Sequence, residues 1–239
     1  MKALTVDFDL AIVKRELLEY HINRGFKDAG ELLEFIEVYW KLRVPRAQLC
    51  PEHTPPAEYI VDSFFETVQD SVCWANRGGG KTLLGALSTW LDTVFKHDCA
   101  TKILGGSLEQ SKKMYHHLTG GGDGWGLVTE DFQYLLQGEM LSAQTALVNK
   151  SHINILTASS KSVRGPHPQK LKLDEVDEMD PEIYEAALLI PKSARGIKAS
   201  VQIYSTMHRA YGLMNGEYER ARRYWGAHIE CALNCWRPR

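Results

Sequence analysis

Long apolar runs are missing from this sequence: the longest span a few residues, such as Ala186-Ala187-Leu188-Leu189-Ile190, far short of the roughly 20 that a membrane-spanning helix needs. A basic N-terminal region followed by a long apolar one is missing too. Asp7 and Asp9 interrupt the first apolar stretch, so no secretory signal is read and the cytoplasm of the producing cell is the expected compartment. Cysteine is scarce and odd in number: Cys50, Cys73, Cys99, Cys231 and Cys235 are scattered over 239 residues, which excludes a disulfide framework and predicts reduced thiols. Neither sign of charge dominates, since 28 Lys and Arg face 30 Asp and Glu for a net charge of −2. No internal repeat or low-complexity tract is found. With 44% hydrophobic and 24% charged residues, the chain reads as an ordinary globular protein with enough length to bury a sizeable core. The near-neutral balance hides a gradient. Residues 192–239 hold nine Lys and Arg against three Asp and Glu, so the tail is basic and the body acidic.

The sharpest feature present is Ala75-Asn76-Arg77-Gly78-Gly79-Gly80-Lys81-Thr82, which has the pattern [AG]-x4-G-K-[ST] of a phosphate-binding P-loop. Val72 to Ala75 is a short apolar run of strand type. Leu83, Leu84, Leu87, Trp90, Leu91, Val94 and Phe95 then recur at helical spacing. Glycines between a strand and a helix can adopt positive φ and bare their N–H groups, which forms an anion-binding nest at a helix N-terminus. A nucleoside triphosphate suits such a nest. Lys81 is expected between its β- and γ-phosphates, and the Thr82 hydroxyl is expected on a Mg²⁺ ion.

The remaining elements follow from periodicity and punctuation. Residues 1–50 read as two helices separated by Gly25 and Gly30, forming an N-terminal helical subdomain. Pro45, Pro51, Pro55 and Pro56 mark a linker before a helix around Glu58 to Val68, with Thr54 at its start and Pro55 in its first turn. A strand at Thr101–Gly105 and a helix from about Leu108 to Leu118 follow, and the strand–helix alternation predicts a mainly parallel sheet. Gly120 to Gly126 is too rich in glycine for a regular element and reads as a mobile loop. Ala146-Leu147-Val148 and His152 to Leu156, joined by Asn149-Lys150-Ser151, read as a β-hairpin. The expected domains are 1–50, a P-loop core at 51–215 and a basic segment at 216–239.

A second concentration of chemistry is Leu171-Lys172-Leu173-Asp174-Glu175, a strand ending in two acids about ninety residues after the glycines. This order matches the Walker B strand of P-loop nucleoside triphosphatases that use a catalytic glutamate. Asp174 is expected on the Mg²⁺ shell and Glu175 on the attacking water. The alternative is a solvated acidic turn leading into the helix after Pro181. Lys172 breaks an otherwise apolar strand and is expected on its less buried face. Val201-Gln202-Ile203-Tyr204-Ser205-Thr206 is a further strand, expected beside the acidic one. Its terminal hydroxyls are either a γ-phosphate sensor that couples to a moving part or a plain capped strand end.

Together these residues resemble the ATPase domain of the large terminase subunit, the DNA-packaging motor of tailed bacteriophages. The resemblance rests on Arg77 in the glycine loop, on Ile103 to Ser107 with Gln110, on Val163-Arg164-Gly165 before the acidic strand and on Tyr204-Ser205-Thr206-Met207. It runs from about residue 55 to 210 and implies an α/β P-loop NTPase of the ASCE, RecA-like type. The implied function is hydrolysis of ATP with Mg²⁺ to translocate double-stranded DNA into a prohead, in the cytoplasm of an infected bacterial host. The implied ATP-binding residues are Asn76, Arg77, Gly78, Gly79, Gly80, Lys81 and Thr82, and the implied metal ligands are Thr82 and Asp174. Glu175 is the implied catalytic residue that activates water, Arg164 and Arg77 are the candidate arginine fingers, and Ser205 and Thr206 are the coupling residues. A portal protein, a small terminase subunit and neighbours in a homo-oligomeric ring are the implied partners. The family's nuclease domain has no room after residue 210, so the motor alone is expected. Two rivals stay open: the first motor domain of a superfamily-two helicase, with Asp174-Glu175-Val176-Asp177 as its DExD box, and a non-catalytic scaffold switched by ATP. His228, Cys231 and Cys235 could begin a zinc site or be plain side chains. Arg220, Arg222 and Arg223 could track DNA phosphates or form a solvated helical face.

Overall fold

The computed structural model describes residues 3–48, 54–163, 165, 167–206 and 208–220. Its centre is a six-stranded sheet of β1 (Ser71–Trp74), β2 (Ala100–Gly105), β3 (Gln144–Ala146), β4 (His152–Ile155), β5 (Lys170–Asp174) and β6 (Ser200–Ser205), in the order β1-β6-β5-β2-β4-β3. Only β3 runs antiparallel, against β4; every other pairing is parallel. In register, Trp74 lies opposite Ser205, and Asp174 lies opposite both Tyr204 and Gly105. The glycine turn, the acidic pair and the hydroxyl strand end therefore emerge at one edge, where open parallel sheets bind ligands. As expected, β6 lies beside the acidic strand, and it is also the strand that separates β5 from β1.

Helix α1 (Ala3–Arg24), α2 (Ala29–Trp40), α3 (Pro56–Phe65), α4 (Lys81–Phe95) and α5 (Leu108–Thr119) join one buried cluster that includes Leu18, Phe35, Ile60, Leu87, Trp90 and Leu118. Phe35 meets Phe95 edge to face at 5.3 Å, and the Trp40 indole donates to the Leu127 carbonyl at 2.8 Å. Each such buried aromatic or aliphatic side chain contributes about 1.5–3 kcal/mol relative to exposure. Because α4 is wrapped by the sheet on one side and by other helices on the other, even its polar Ser88, Thr89, Asp92 and Thr93 are buried. On the opposite face, α6 (Ser160–Val163), α7 (Pro181–Leu188) and α8 (Leu213–Arg220) cover a second cluster around Leu104, Leu171, Leu173 and Ile203.

Several boundaries differ from the sequence expectation. Gly30 lies inside α2, whose N-cap is Asp28, with its carboxylate accepting from Glu31 N at 3.0 Å. Helix α3 has Pro55 as its N-cap and Pro56 in the first turn, because a proline there forfeits an N–H that no helix end can pair. The hairpin's first strand is Gln144–Ala146; Leu147 follows it as an isolated bridge to Leu136, its N–H donating to Ser151 O at 2.8 Å, and the turn begins at Val148. The glycine-rich stretch is an irregular connection in which Gly120, at φ 77°, caps α5.

Lys172 is the largest correction. It is not on a less buried face: every residue of β5 is buried, and Lys172 is 0% exposed. A central parallel strand is covered on both sides, so no solvent-facing side exists for it. Its ammonium lies 3.2 Å from Asp92 Oδ2 and donates to Ser88 Oγ at 2.9 Å and to Gln202 Oε1. Asp92 also meets Lys96 at 2.7 Å, Lys96 meets Glu66 at 2.9 Å, and Glu66 meets Lys170 at 2.7 Å. The result is a chain of alternating charges beneath α4.

Candidate functional site

The glycine bend builds the first wall. Gly78 and Gly80 have φ of 73° and 80°, the left-handed region that glycine enters at little cost. Gly79 is needed for another reason than the positive φ expected of all three. A Cβ there would lie 2.7 Å from Asn76 Oδ1, and its N–H donates to Asn76 O at 3.1 Å. Gly80 O accepts from Leu84 N at 2.9 Å, so α4 begins directly with Lys81 and Thr82 in its first turn. Its first N–H groups consequently face the space beyond the sheet edge.

The acidic pair builds the second wall. Asp174 ends β5 at 1% exposure, and its Oδ2 accepts from Thr82 Oγ1 at 3.3 Å. Successive residues of a strand face opposite ways, so a continued strand would send Glu175 to the other face. Instead Glu175 takes φ 52° and ψ 52°, and its N–H donates to Tyr204 O at 2.8 Å. This left-handed turn costs a non-glycine residue about 1–3 kcal/mol and brings both carboxyls to one place. Glu175 Oε1 then lies 2.8 Å from Lys81 Nζ, and Oε2 lies 3.4 Å from His208 Nε2.

The two acids titrate apart. Burial, reinforced by the Glu175 charge and only partly opposed by Lys81 and Thr82, pushes Asp174 up to about 7. Burial also acts to raise Glu175, but the hydrogen bond and charge of Lys81, with His208 and the Thr206 backbone, hold it below the usual carboxylate range. Asp174 Oδ1 is buried without a hydrogen-bond partner. An orphaned carboxylate oxygen next to a threonine hydroxyl is the donor set a Mg²⁺ ion uses when phosphates and water complete its shell. Among the described residues no group of three or more His, Cys, Asp or Glu could hold a metal alone, so a dedicated all-protein cage is not what these side chains offer.

Between the walls lies a cavity of about 450 Å³, bordered also by Arg77, Gln110, Lys113, Glu178 and His208. The Gln110 amide donates to Glu178 Oε2 across it. Arg77 is exposed at the rim and forms no ion pair with another described residue. Ser205 is buried, its carbonyl accepting from Ala75 N at 3.2 Å, and the Thr206 hydroxyl is buried without a hydrogen-bond partner. The end of β6 thus touches the chain entering the glycine bend on one side and the Glu175 backbone on the other.

Arg164 lies outside the described residues, as do Met207, Arg222, Arg223, His228, Cys231, Cys235 and Cys50. Cys73 and Cys99 are buried cysteines outside any disulfide. The acidic turn after Glu175 is not simply solvated. Asp177 is 4% exposed and accepts from the N–H groups of His208, Arg209 and Met214 at 2.7, 3.0 and 2.9 Å. Asp180 does play the helix-capping part, accepting from Glu182 N at 2.9 Å at the start of α7. Sequence reasoning missed His208, Lys113 and Glu178 as site residues. Their spacing carries no motif, and only the fold collects them.

No protein-family model matches the sequence, and no curated protein matches it. Solved structures do resemble the fold. The large terminase of bacteriophage HK97 aligns with a TM-score of 0.61 at 17% identity, over 85% of this chain and 43% of that one. The large terminase of a thermophilic bacteriophage gives 0.52 at 12%, over 73% and 44%. The ATPase domain of the Thermus phage P74-26 large terminase gives 0.50 at 12%, over 78% and 72%. A further structure of the thermophilic bacteriophage protein is a complex with ADP, at a TM-score of 0.51 and 11% identity, over 73% of this chain and 44% of that one. The present chain therefore has the α/β P-loop NTPase fold of phage large terminases, and it spans less than half the length of the HK97 protein and of the thermophilic bacteriophage protein.

Proposed function

We propose that the chain is an ATPase motor domain of the large-terminase type, hydrolysing ATP to drive double-stranded DNA into a prohead. The observation that carries this reading is the meeting of two segments some ninety residues apart: Lys81 on Glu175 at 2.8 Å and Thr82 on Asp174 at 3.3 Å. A grip of this kind is what a triphosphate with its metal requires. The likeness to solved terminases supports the choice among nucleotide machines.

In the proposed reaction, the N–H groups of residues 78–82 cradle the β- and γ-phosphates, and Lys81 leaves Glu175 for them. A Mg²⁺ ion held by Thr82 and Asp174 would supply charge neutralisation to the leaving phosphate oxygens. Glu175 Oε1, freed of Lys81, accepts a proton from water as its oxygen bonds to the γ-phosphorus. The bond to the bridging β–γ oxygen breaks, giving ADP and phosphate. Arg77, already at the cavity rim, and Arg164 are the candidates to balance charge on the transferring group, a role worth about 10³–10⁵ in rate. Ser205 and Thr206 would couple turnover to movement. The division into residues 1–50, 51–215 and 216–239 belongs to this reading, as do the portal, small-subunit and ring-neighbour partners.

The test is steady-state phosphate release from ATP with and without Mg²⁺, then with double-stranded DNA and a portal protein. Magnesium-dependent release stimulated by DNA is expected. A chain that binds ATP but never releases phosphate under any of these conditions would belong to a nucleotide-switched scaffold instead.

A further inference from the structure

We propose that His208 is the positioning residue that keeps Glu175 aimed once Lys81 has left it, and that it ties the acid to the segment leading into α8. The inference rests on the nucleotide-hydrolysis reading above and assigns that site a part which its sequence motifs do not contain. Each oxygen of Glu175 has its own partner: Oε1 faces Lys81 Nζ at 2.8 Å, and Oε2 faces His208 Nε2 at 3.4 Å. These contacts differ in what a bound triphosphate would do to them. Lys81 sits in the first turn of α4, where phosphates compete for it, whereas His208 sits across the cavity on the chain after β6. When Lys81 transfers, Oε1 is released toward the cavity and Oε2 is still held. Without that second contact, only the Thr206 backbone would still hold a carboxylate with three side-chain torsions, and catalytic geometry lost by about 1 Å can cost about 10²-fold in rate.

His208 is itself anchored. Its backbone N–H donates to Asp177 Oδ2 at 2.7 Å, and the same carboxylate accepts from Arg209 N and, through Oδ1, from Met214 N in the first turn of α8. Gly212 leaves the room this requires, since a Cβ there would lie 2.2 Å from Asp177 Oδ1. Asp177 stands two residues after Glu175, so the acid's backbone and its imidazole partner share one fixed point. A second carboxylate, Glu178, has its Oε1 4.0 Å from the imidazole, while its Oε2 accepts from the Gln110 amide. A change at Glu175 is thereby felt at the start of α8 through one side chain and one carboxylate.

The test uses wild type, His208→Ala and His208→Gln, whose amide nitrogen can stand near the position of Nε2. Steady-state ATP hydrolysis is measured together with hydrogen exchange of residues 208–214, with and without a non-hydrolysable ATP analogue and Mg²⁺. In His208→Ala, kcat should fall about 10–100-fold while KM moves less than about threefold, and His208→Gln should recover most of the loss. The analogue should protect residues 208–214 in wild type and in His208→Gln but not in His208→Ala. A His208→Ala kcat within about twofold of wild type would overturn the proposal. If the isolated chain turns over too slowly to time, unaltered analogue-dependent protection in His208→Ala overturns it instead. Failure of wild type to bind the analogue would remove the nucleotide reading and this proposal with it; binding with an indifferent His208 removes only the proposal.

Discussion

Lys172 Nζ lies 3.2 Å from Asp92 Oδ2 with neither side chain exposed, so the acidic strand and the helix that follows the glycine bend are joined by a buried ion pair. Asp92 serves two ammonium groups, because Lys96 reaches its other oxygen at 2.7 Å. Burial opposes its ionisation, yet the charges of Lys96 and Lys172 prevail and hold it at about 2. Asp92→Asn would leave the buried Lys172 without a carboxylate partner, Lys96 keeping Glu66, and is predicted to cost about 3–5 kcal/mol, whereas Lys172→Met leaves Asp92 with Lys96 and should cost under about 2. Urea unfolding of the two variants distinguishes them, and equal losses would contradict the pairing described here. The sign with pH follows. The folded value is depressed below 3.8, so this contribution is present above that value and is lost as pH falls toward 2.

Asp174 has the opposite linkage. Its folded value of about 7 lies above the ordinary 3.8, so the stability it contributes is complete below 3.8 and is lost as pH rises through 7. Asp174→Asn is therefore predicted to stabilise the protein at pH 8 by about 1–4 kcal/mol in chelator, with the gain vanishing near pH 4, while abolishing magnesium-dependent turnover. Thermal melts at the two pH values read this directly. A variant less stable than wild type at pH 8 would refute it.

The Lys81–Glu175 contact predicts unlike failures for its two members. Lys81→Ala should lose ATP binding and packaging. Glu175→Gln should keep ATP binding while kcat falls about 10²–10⁴-fold. Equilibrium binding of an ATP analogue and phosphate release separate the two, and normal hydrolysis by Glu175→Gln would strip Glu175 of its assigned role.

At Gly212 the argument is steric. A methyl group 2.2 Å from Asp177 Oδ1 must push the carboxylate off the three N–H groups it satisfies. Gly212→Ala is predicted to cost about 1–3 kcal/mol and to lower kcat with it. Unchanged stability in denaturant would show that the loop yields more easily than its contacts imply.

Most of the sheet can be read from the chain because β1, β2, β4, β5 and β6 carry apolar residues in consecutive or alternate positions and are bounded by glycine or by polar residues. The glycine bend was legible for the same local reason. The errors have a common origin in packing. Lys172 reads as a solvent-facing exception, and the alternative reading places Asp177 in a hydrated turn, because a single chain of letters does not show that Asp92 or three backbone N–H groups wait to receive them. His208 was invisible because its partners lie 33 residues away at Glu175 and in a loop whose path the sequence does not reveal.

Local patterning thus specifies which chemical groups exist and at which ends of which elements they stand: glycine N–H groups and Lys81 before one helix, Asp174 and Glu175 after one strand. Side-chain identity and short-range periodicity are enough for that, since both are properties of neighbours along the backbone. Whether those ends meet depends on strand order, on β6 standing between β5 and β1, and on the left-handed turn at Glu175. These are outcomes of long-range packing, in which burying two apolar clusters on a twisted sheet outweighs the local cost of a buried lysine, an orphaned carboxylate oxygen and a strained glutamate.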